Sequence, residues 1–386
     1  MTFEDARNKM TLESVKSLPA ITVVVPVYNL ANYVTDTVES VLSQSYSGNL
    51  SILILDDGST DDSLAIAHAL AAKNNTITVH TQKNQGRAKT RNRLLEFAET
   101  ELIGWIDGDD IASPLWIEEQ VLHLLSHQEC AAVGGQGYAM TGNRHAMSPI
   151  EHPLSHHEIH DGHLNGHANA FFQSCVVVRK SLVLQAGAYD ERFPFAEDYS
   201  LWLRLAEFGE LHNLNSVHLY YRVHATSANW TANVEQRQQG QQILDEQRRA
   251  RGLTRIKSVD SKIPPTKKDD WNRRIYWINH ALKAGNPFSA LEMLFIALRK
   301  HPFSLALWLA LTVATLDTMV CLGNRTQRFR AGKTPVIGDL PRFSFYRLGK
   351  RIIQIRRKLR GRKFPDANAN LRAASHEITE NRAEAD

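Results

Sequence analysis

Trp105-Ile106-Asp107-Gly108-Asp109-Asp110 is the stretch whose reading decides the fold. Leu102, Ile103, Trp105 and Ile106 are apolar and read as the end of a buried strand. Three carboxylates follow within four positions. Ser113-Pro114 then gives a helix start, with Ser at the N-cap and Pro at N1. The carboxylates therefore fall on the loop at the C-terminal end of a strand, where open α/β sheets take their ligands. Side chains at i and i+2 of an extended segment share a face. Asp107 and Asp109 are thus expected to converge on one hard cation, Mg2+ or Mn2+, which oxygen ligands suit. A solvated Asp/Gly turn is the plain alternative, and the rest of the chain argues against it.

Upstream, Ile21-Thr22-Val23-Val24-Val25 is a β-branched run of the kind found in a strand buried on both faces. Pro26 ends it, and Val27-Tyr28-Asn29 forms the following loop. Val34, Val38, Val41 and Leu42 mark one face of a helix. A second buried strand, Ser51 to Leu55, runs into Asp56-Asp57-Gly58-Ser59-Thr60, where Ser59 and Asp62 have capping-box spacing before a helix. Thr76 to Thr81 reads as a third strand, Asn84 to Arg87 as a turn, and Ala88 to Phe97 as a helix. Such strand–helix alternation signals a parallel sheet. Three of its strand ends place polar groups on one edge: Tyr28-Asn29, Asp56-Asp57 and Asp107-Gly108-Asp109.

No G-x-G-x-x-G follows the first strand and no G-x-x-x-x-G-K-[ST] occurs, which counts against dinucleotide oxidoreductases and P-loop NTPases. A site lacking a phosphate-cradling loop needs a metal to receive a diphosphate. At 386 residues, 43% hydrophobic and 22% charged, the chain is globular and long enough for more than one domain. Its three cysteines, Cys130, Cys175 and Cys321, have no metal-ligand spacing and fit a reducing compartment. Residues 1–17 lack a signal-peptide core, so cytoplasmic residence is expected.

Val25-Pro26-Val27-Tyr28-Asn29, Asp56-Asp57-Gly58-Ser59-Thr60-Asp61, Gly86-Arg87-Ala88-Lys89-Thr90-Arg91-Asn92 and Asp107-Gly108-Asp109-Asp110, in this order and spacing, resemble the inverting glycosyltransferases of family 2. The resemblance spans about Ile21 to Asn229. It implies a GT-A fold: an α/β, Rossmann-like domain with a central mixed sheet flanked by helices, here with a C-terminal helical extension. It implies that Pro26, Val27, Tyr28, Asn29 and Asp57 hold the nucleobase and ribose, that Asp107 lies near the ribose and metal, that Asp109 ligates the metal, and that Arg91 supports the site. Glu197 and Asp198 open an apolar-periodic helix, where acids are commonplace. The family carries an acidic pair there, and by resemblance Asp198 is the general base and Glu197 its support. Tyr221-Arg222-Val223-His224 is similar to the family's closing segment. By that likeness Arg222 or His224 faces the diphosphate and His224 joins the metal, the alternative being a structural His at a strand end. No Q-x-x-R-W follows, which departs from processive polymerases and favours transfer of a single sugar.

Ala131 to Gly135 and Phe171 to Val178 read as strands. Between them His145 to His167 carries seven histidines at irregular spacing, read as a solvated acceptor-side loop in preference to a metal site. The composition turns Gln/Arg/Glu-rich from Thr231, suggesting an exposed helix, and Lys257 to Asp270 is a polar linker. Two Pro-Phe-Ser helix starts recur at 287–289 and 302–304, and 325–363 is basic with interleaved aromatic and aliphatic residues. The expected organisation is a tail over 1–19, the glycosyltransferase domain over 20–230, a helix and linker over 231–270, a helical element over 271–325, and a basic segment with a disordered tail over 326–386. The basic segment reads as attachment to an anionic membrane surface or as a solvated tail, and 304–322 is a marginal spanning candidate. The expected activity is metal-dependent, inverting hexosyl transfer from a UDP- or GDP-sugar to a glycan or lipid-linked acceptor, in cell-surface polysaccharide or lipopolysaccharide synthesis at the inner face of the cell membrane. A nucleotidyltransferase would need a Gly-rich basic loop after the first strand. A nucleic-acid-binding protein or a silent scaffold would leave the acidic strand ends unexplained, so no nucleic acid partner is expected.

Overall fold

The computed structural model describes residues 18–224, 233–257, 277–278, 280–282, 284 and 286–300. The chain opens with β1 (Ile21–Val27), α1 (Val34–Leu42), β2 (Leu50–Asp56), α2 (Ser63–Ala71), β3 (Ile77–Thr81), α3 (Arg87–Phe97) and β4 (Leu102–Trp105). β1 lies between β2 and β4 and pairs with both in parallel, and β3 extends the sheet beyond β2. Alternate residues serve two cores. Val23, Val25 and Val27 pack with Val34, Val38, Ile52 and Ile54 on one face. Val24, Leu53, Leu55, Ile103 and Trp105 pack with Leu94, Leu95 and Trp202 on the other. Full burial of each such side chain contributes about 1.5–3 kcal/mol, which makes the β-branched runs the source of this half's stability.

The second half follows β5 (Ile111–Ala112) and α4 (Trp116–Ser126): β6 (Cys130–Thr141), β7 (Ala146–Ile150), α5 (His156–Leu164), β8 (Val176–Arg179), α6 (Lys180–Gln185), α7 (Glu197–Leu205) and β9 (Glu210–Val223). β8 is antiparallel to both β4 and β6, β6 is parallel to β9, and β5 and β7 are antiparallel to β9 and β6. The sheet order is thus β3-β2-β1-β4-β8-β6-β9-β5, with β7 on β6. This is the expected mixed sheet flanked by helices. Strand direction changes where β4 meets β8, and the acidic loop after β4 sits beside that change.

Local expectations fail in four places, each for a physical reason. α4 begins at Trp116, because the Ser113 N–H donates to His218 O (2.8 Å) and Gln44, from another element, accepts the Ile117 N–H (3.0 Å). Ser59 is no capping residue for α2, since its hydroxyl accepts the Asn29 N–H. The strand read from Phe171 starts only at Val176, after Cys175 takes a φ of 57°. Leu42, on the apolar side of α1 by spacing, is exposed.

The Gln/Arg-rich segment is α8 (Asn233–Ala250), and it is not merely exposed. Ile243 is buried against Phe193, Tyr199 and Leu203, and Arg248 donates to Leu164 O (2.6 Å). The first Pro-Phe-Ser start opens α9 (Pro287–Lys300). It meets the β6–β7 hairpin through Ser289 Oγ to Ala146 O (2.6 Å) and Glu292 to Asn143 and His145 (3.0 and 2.9 Å). Among the described residues no helix is long and apolar enough to cross a membrane. The 304–322 and 326–363 segments lie outside the described residues.

Candidate active site

The loops after β1 and β2 are stitched together. Asn29, at φ 55°, accepts the Thr60 N–H on its side-chain oxygen (2.8 Å) and donates its own N–H to Ser59 Oγ (2.9 Å). The Leu30 N–H donates to Ser63 Oγ (2.7 Å). Tyr28 projects from this loop, 47% exposed. Asp57 is buried. It accepts Gln82 Nε2 (2.8 Å), the Gln85 N–H (2.8 Å) and the Gly86 N–H (2.9 Å), so it fixes the turn into α3. Gly86 has a φ of 84° and allows that turn.

The Asp107-Gly108-Asp109-Asp110 segment is a turn closed by the Asp110 N–H on Asp107 O (3.0 Å), not an extended strand end. A Cβ on Gly108 would lie 2.9 Å from Pro26 O and from Leu30 Cδ1, so only glycine lets the turn press against the end of β1. Within the turn the two carboxylates stay in electrostatic reach of one another, the charge of Asp109 opposing ionisation of Asp107. Asp107 Oδ1 accepts Arg91 Nη2 (2.9 Å), while Asp109 Oδ2 lies 2.9 Å from His224 Nε2. Asp107, Asp109 and His224 do not, among the described residues, gather with every ligand atom within 4.8 Å of the others. The Asp109–His224 pair is nonetheless a carboxylate and an imidazole side by side, a fit to two positions of a divalent cation whose remaining ligands are diphosphate oxygens.

Arg222 is 1% exposed, and its nitrogens are engaged by protein. Nε donates to Asp109 O (2.6 Å), Nη1 to Gly142 O (2.6 Å) and Nη2 to Asp36 Oδ2 (3.0 Å), while the guanidinium lies over the Tyr33 ring. Its place is behind the acidic turn, which it braces, and no edge of it is left to face a diphosphate.

Arg91 is the cation that pairs with Asp107. It is buried under the Trp105 and Tyr189 rings, between Asp107 and Glu197, whose Oε1 lies 3.6 Å from Nε. Burial opposes its charge, but Asp107 and Glu197 outweigh burial and hold its pKa above the ordinary arginine value. Glu197 is 1% exposed, with Arg87 3.8 Å away. Burial pushes its carboxyl up, against the pull of Arg87 and Arg91. Burial also raises Asp107, partly offset by Arg91 and reinforced by Asp109. Asp198, next along α7, is half-buried, accepts the Tyr199 N–H on Oδ1 (2.7 Å), and adds its charge to the field at Asp107 and Arg91.

Residues 22–185 match the family model described as glycosyl transferase family 2. This segment is a family 2 glycosyltransferase domain. An uncharacterised glycosyltransferase of Haemophilus influenzae is 27% identical over 60% of this chain and 74% of its own length. The amylovoran biosynthesis glycosyltransferase AmsE of Erwinia amylovora is 30% identical over 44% and 63%. The Escherichia coli UDP-Glc:alpha-D-GlcNAc-diphosphoundecaprenol beta-1,3-glucosyltransferase WfaP is 29% identical over 54% and 78%.

Of the residues assigned to the glycosyltransferase site from sequence, Asp107, Arg91, Glu197 and Asp198 form one electrostatic cluster and Asp109 and His224 a second. Tyr28 and Asn29 lie exposed after β1, whereas the Val27 side chain is buried in the core. Residues not foreseen also shape the site. Arg87 flanks Glu197, Asp36 pairs with Arg222 and Arg144, and Asp110 is fully buried with Oδ1 accepting the Arg222 N–H (2.9 Å). Burial drives Asp110 well above the ordinary carboxyl range, with Asp109 and Asp107 adding to it. Of these, Asp110 and Arg87 carried a sequence signal, as the last acid of the run and as part of the Gly86-Arg87 motif. The histidine-rich stretch is no solvated loop: β7 and α5 occupy it, Ser155 and Glu158 close a capping box on α5, and His152 and His163 are buried.

Proposed function

We propose that this glycosyltransferase transfers a single sugar from a UDP- or GDP-sugar to a hydroxyl of a glycan or lipid-linked acceptor, with inversion at the anomeric carbon. The observation that carries the reading is the charged cluster around the acidic turn: Arg91 with Asp107, Glu197 and Asp198, and Asp109 with His224. The names of the amylovoran and undecaprenol-linked relatives support an acceptor in cell-surface polysaccharide or lipopolysaccharide synthesis.

Asp198 is the general base. Glu197 is sealed between Arg87 and Arg91, whereas the Asp198 carboxylate stays accessible at the first turn of α7 with one oxygen oriented by the Tyr199 N–H. Asp198 then takes the acceptor hydroxyl's proton as its oxygen attacks the anomeric carbon and the diphosphate leaves. A single displacement of this kind inverts the centre. Arg91 holds Asp107 in place, and the stitched loops after β1 and β2 offer Tyr28 and the 26–29 backbone to the nucleoside. Asp109 and His224, with Asp107 nearby, would hold Mg2+ or Mn2+, which when bound offsets the diphosphate charge. A lipid-linked acceptor goes with attachment of the basic 326–363 segment to an anionic membrane surface at the inner face of the cell membrane. Release of the chain from membranes by carbonate supports that attachment, and release by detergent alone overturns it.

Thermal unfolding against a panel of UDP- and GDP-sugars, with and without Mn2+, tests the reading. A ligand that binds only the native state must raise Tm by mass action. One nucleotide sugar is expected to raise Tm in a Mn2+-stimulated way, and Asp109→Ala to lose the stimulated part. A panel without effect, or an unchanged Asp109→Ala response, overturns it.

A further inference from the structure

At the end of the sheet away from the acidic loops, the last turn of α4 meets the starts of β6 and β9. The direction follows from the pairing. Arg179 lies opposite Leu102, the first residue of β4, and donates from Nε to Cys130 O (2.9 Å). Here His123 Nε2 and His212 Nδ1 lie 2.8 Å apart. Cys130 Sγ completes a group whose three ligand atoms are all within 4.8 Å of one another. Cys130 is fully buried and both imidazoles are half-buried.

We propose that His123, Cys130 and His212 form a zinc site, separate from the acidic cleft. The donor chemistry selects the ion. Two imidazoles and a thiolate suit borderline-soft Zn2+, whereas Mg2+ and Mn2+ prefer oxygen. The surroundings resemble those of a ligating histidine. His212 Nε2 is 2.8 Å from Glu210 Oε2, so the carboxylate fixes the proton on that nitrogen and leaves the Nδ1 lone pair aimed at His123. The His127 ring stacks on His123, with centroids 4.0 Å apart and planes 16° apart, and limits its rotation.

Without metal, the two facing nitrogens share one proton, carried by His123 Nε2. On binding, that proton moves to His123 Nδ1 and the Cys130 thiol releases its proton to solvent, so one proton leaves per ion. Zn–N bonds of about 2.0–2.1 Å and a Zn–S bond of about 2.3 Å put tetrahedral N···N near ~3.4 Å and N···S near ~3.6 Å. The imidazoles therefore part by roughly half an ångström, and the sulfur moves by no more than about one. Water takes the fourth position. The ion would tie α4 and β6, which are consecutive in the chain, to the distant strand β9.

Cobalt titration of the full chain, stripped of metal by chelator, tests this. Co2+ should produce a thiolate-to-cobalt charge-transfer band and intense tetrahedral d–d bands, saturating at one equivalent and abolished by Zn2+. Cys130→Ser should lose the charge-transfer band. His212→Gln, at a position less buried than Cys130, should weaken Co2+ binding about tenfold or more. Asp109→Ala should keep the band, which separates this site from the cleft. Absence of a thiolate band in the wild-type chain overturns the proposal, as does a band that survives both Cys130→Ser and His212→Gln.

Discussion

Strands β1, β2 and β4 bury Val, Ile, Leu and Trp, and their charged residues wait until the strand ends. Strands β6 and β9 instead bury Gln136, Asn213, His218 and Arg222 within their length. There most of the polar atoms are matched, Asn213 Oδ1 being an exception. Gln120 Nε2 donates to Cys175 O (2.9 Å) and meets His218 Nδ1 (2.9 Å), whose Nε2 meets Glu119 (2.9 Å). Asn213 Nδ2 donates to Pro153 O (2.7 Å) and Ala170 O (3.1 Å). The difference teaches that the parallel half is held by non-directional burial, which leaves its loops free to carry chemistry. The mixed half is held by directional pairs, each costly to leave half-made. Gly134 and Gly135 belong to this second economy: a Cβ on either would collide with Asn213 or His218.

The sharpest way to break the contrast is at Arg91, the one buried cation of the parallel half's helices that behaves like the mixed half. Arg91→Met leaves Asp107 without its partner and Glu197 with Arg87 alone, and should cost about 3–5 kcal/mol in urea unfolding. A loss under 1 kcal/mol would place the pair among solvent-screened contacts. Asp198→Asn asks the opposite question of α7. Turnover should fall by about 10²-fold or more, while donor affinity measured by calorimetry barely changes. Near-normal turnover would assign the proton to another residue. Gly135→Ala should cost about 2 kcal/mol by overpacking against His218, with nucleotide binding retained. Equal stability would mean that the polar pairs yield more easily than their geometry suggests.

The smallest effect concerns pH. His163 is fully buried with both ring nitrogens lacking partners, and burial, with His160 adding, pushes its pKa down to about 3. The unfolded state, near 6.5, binds the proton first, so this contribution to stability is present above about pH 6.5 and is lost as pH falls toward 3. His163→Phe should remove up to about 2 kcal/mol of the stability lost between pH 7 and 5. An unchanged pH slope in chemical denaturation would exclude His163 as its source.

The sequence made the parallel half readable because each strand there is a continuous apolar run and each acid falls where the run stops. Asp107 and Asp109 were legible in that way, whereas Arg91, Glu197 and Asp198 were named only through the family resemblance, and the turn that holds Asp107 to Asp110 left no mark beyond Gly108. Caps at Ser59 and Ser113 were misread because their backbone and side-chain partners, Asn29 and His218, come from distant strands. In the mixed half, polar residues inside β6 and β9 masked the alternation, and Cys175 ended a strand early by a backbone angle. His123, Cys130 and His212 belong to three elements, and no spacing rule links them.

The antiparallel seam between β4 and β8 also sets a timetable. β4 ends at Trp105, but the strand that covers its open edge is not synthesised until Val176 to Arg179. For some seventy residues of growth, the nascent parallel sheet carries an apolar edge with unpaired amides, a template for pairing with another chain. Parallel, non-local pairings such as β6 with β9 are slow to form, so that interval is lengthened further by the search itself. Aggregation during expression should begin from this edge, and slower synthesis or a holdase chaperone should raise the soluble yield more than any change in the folded cleft.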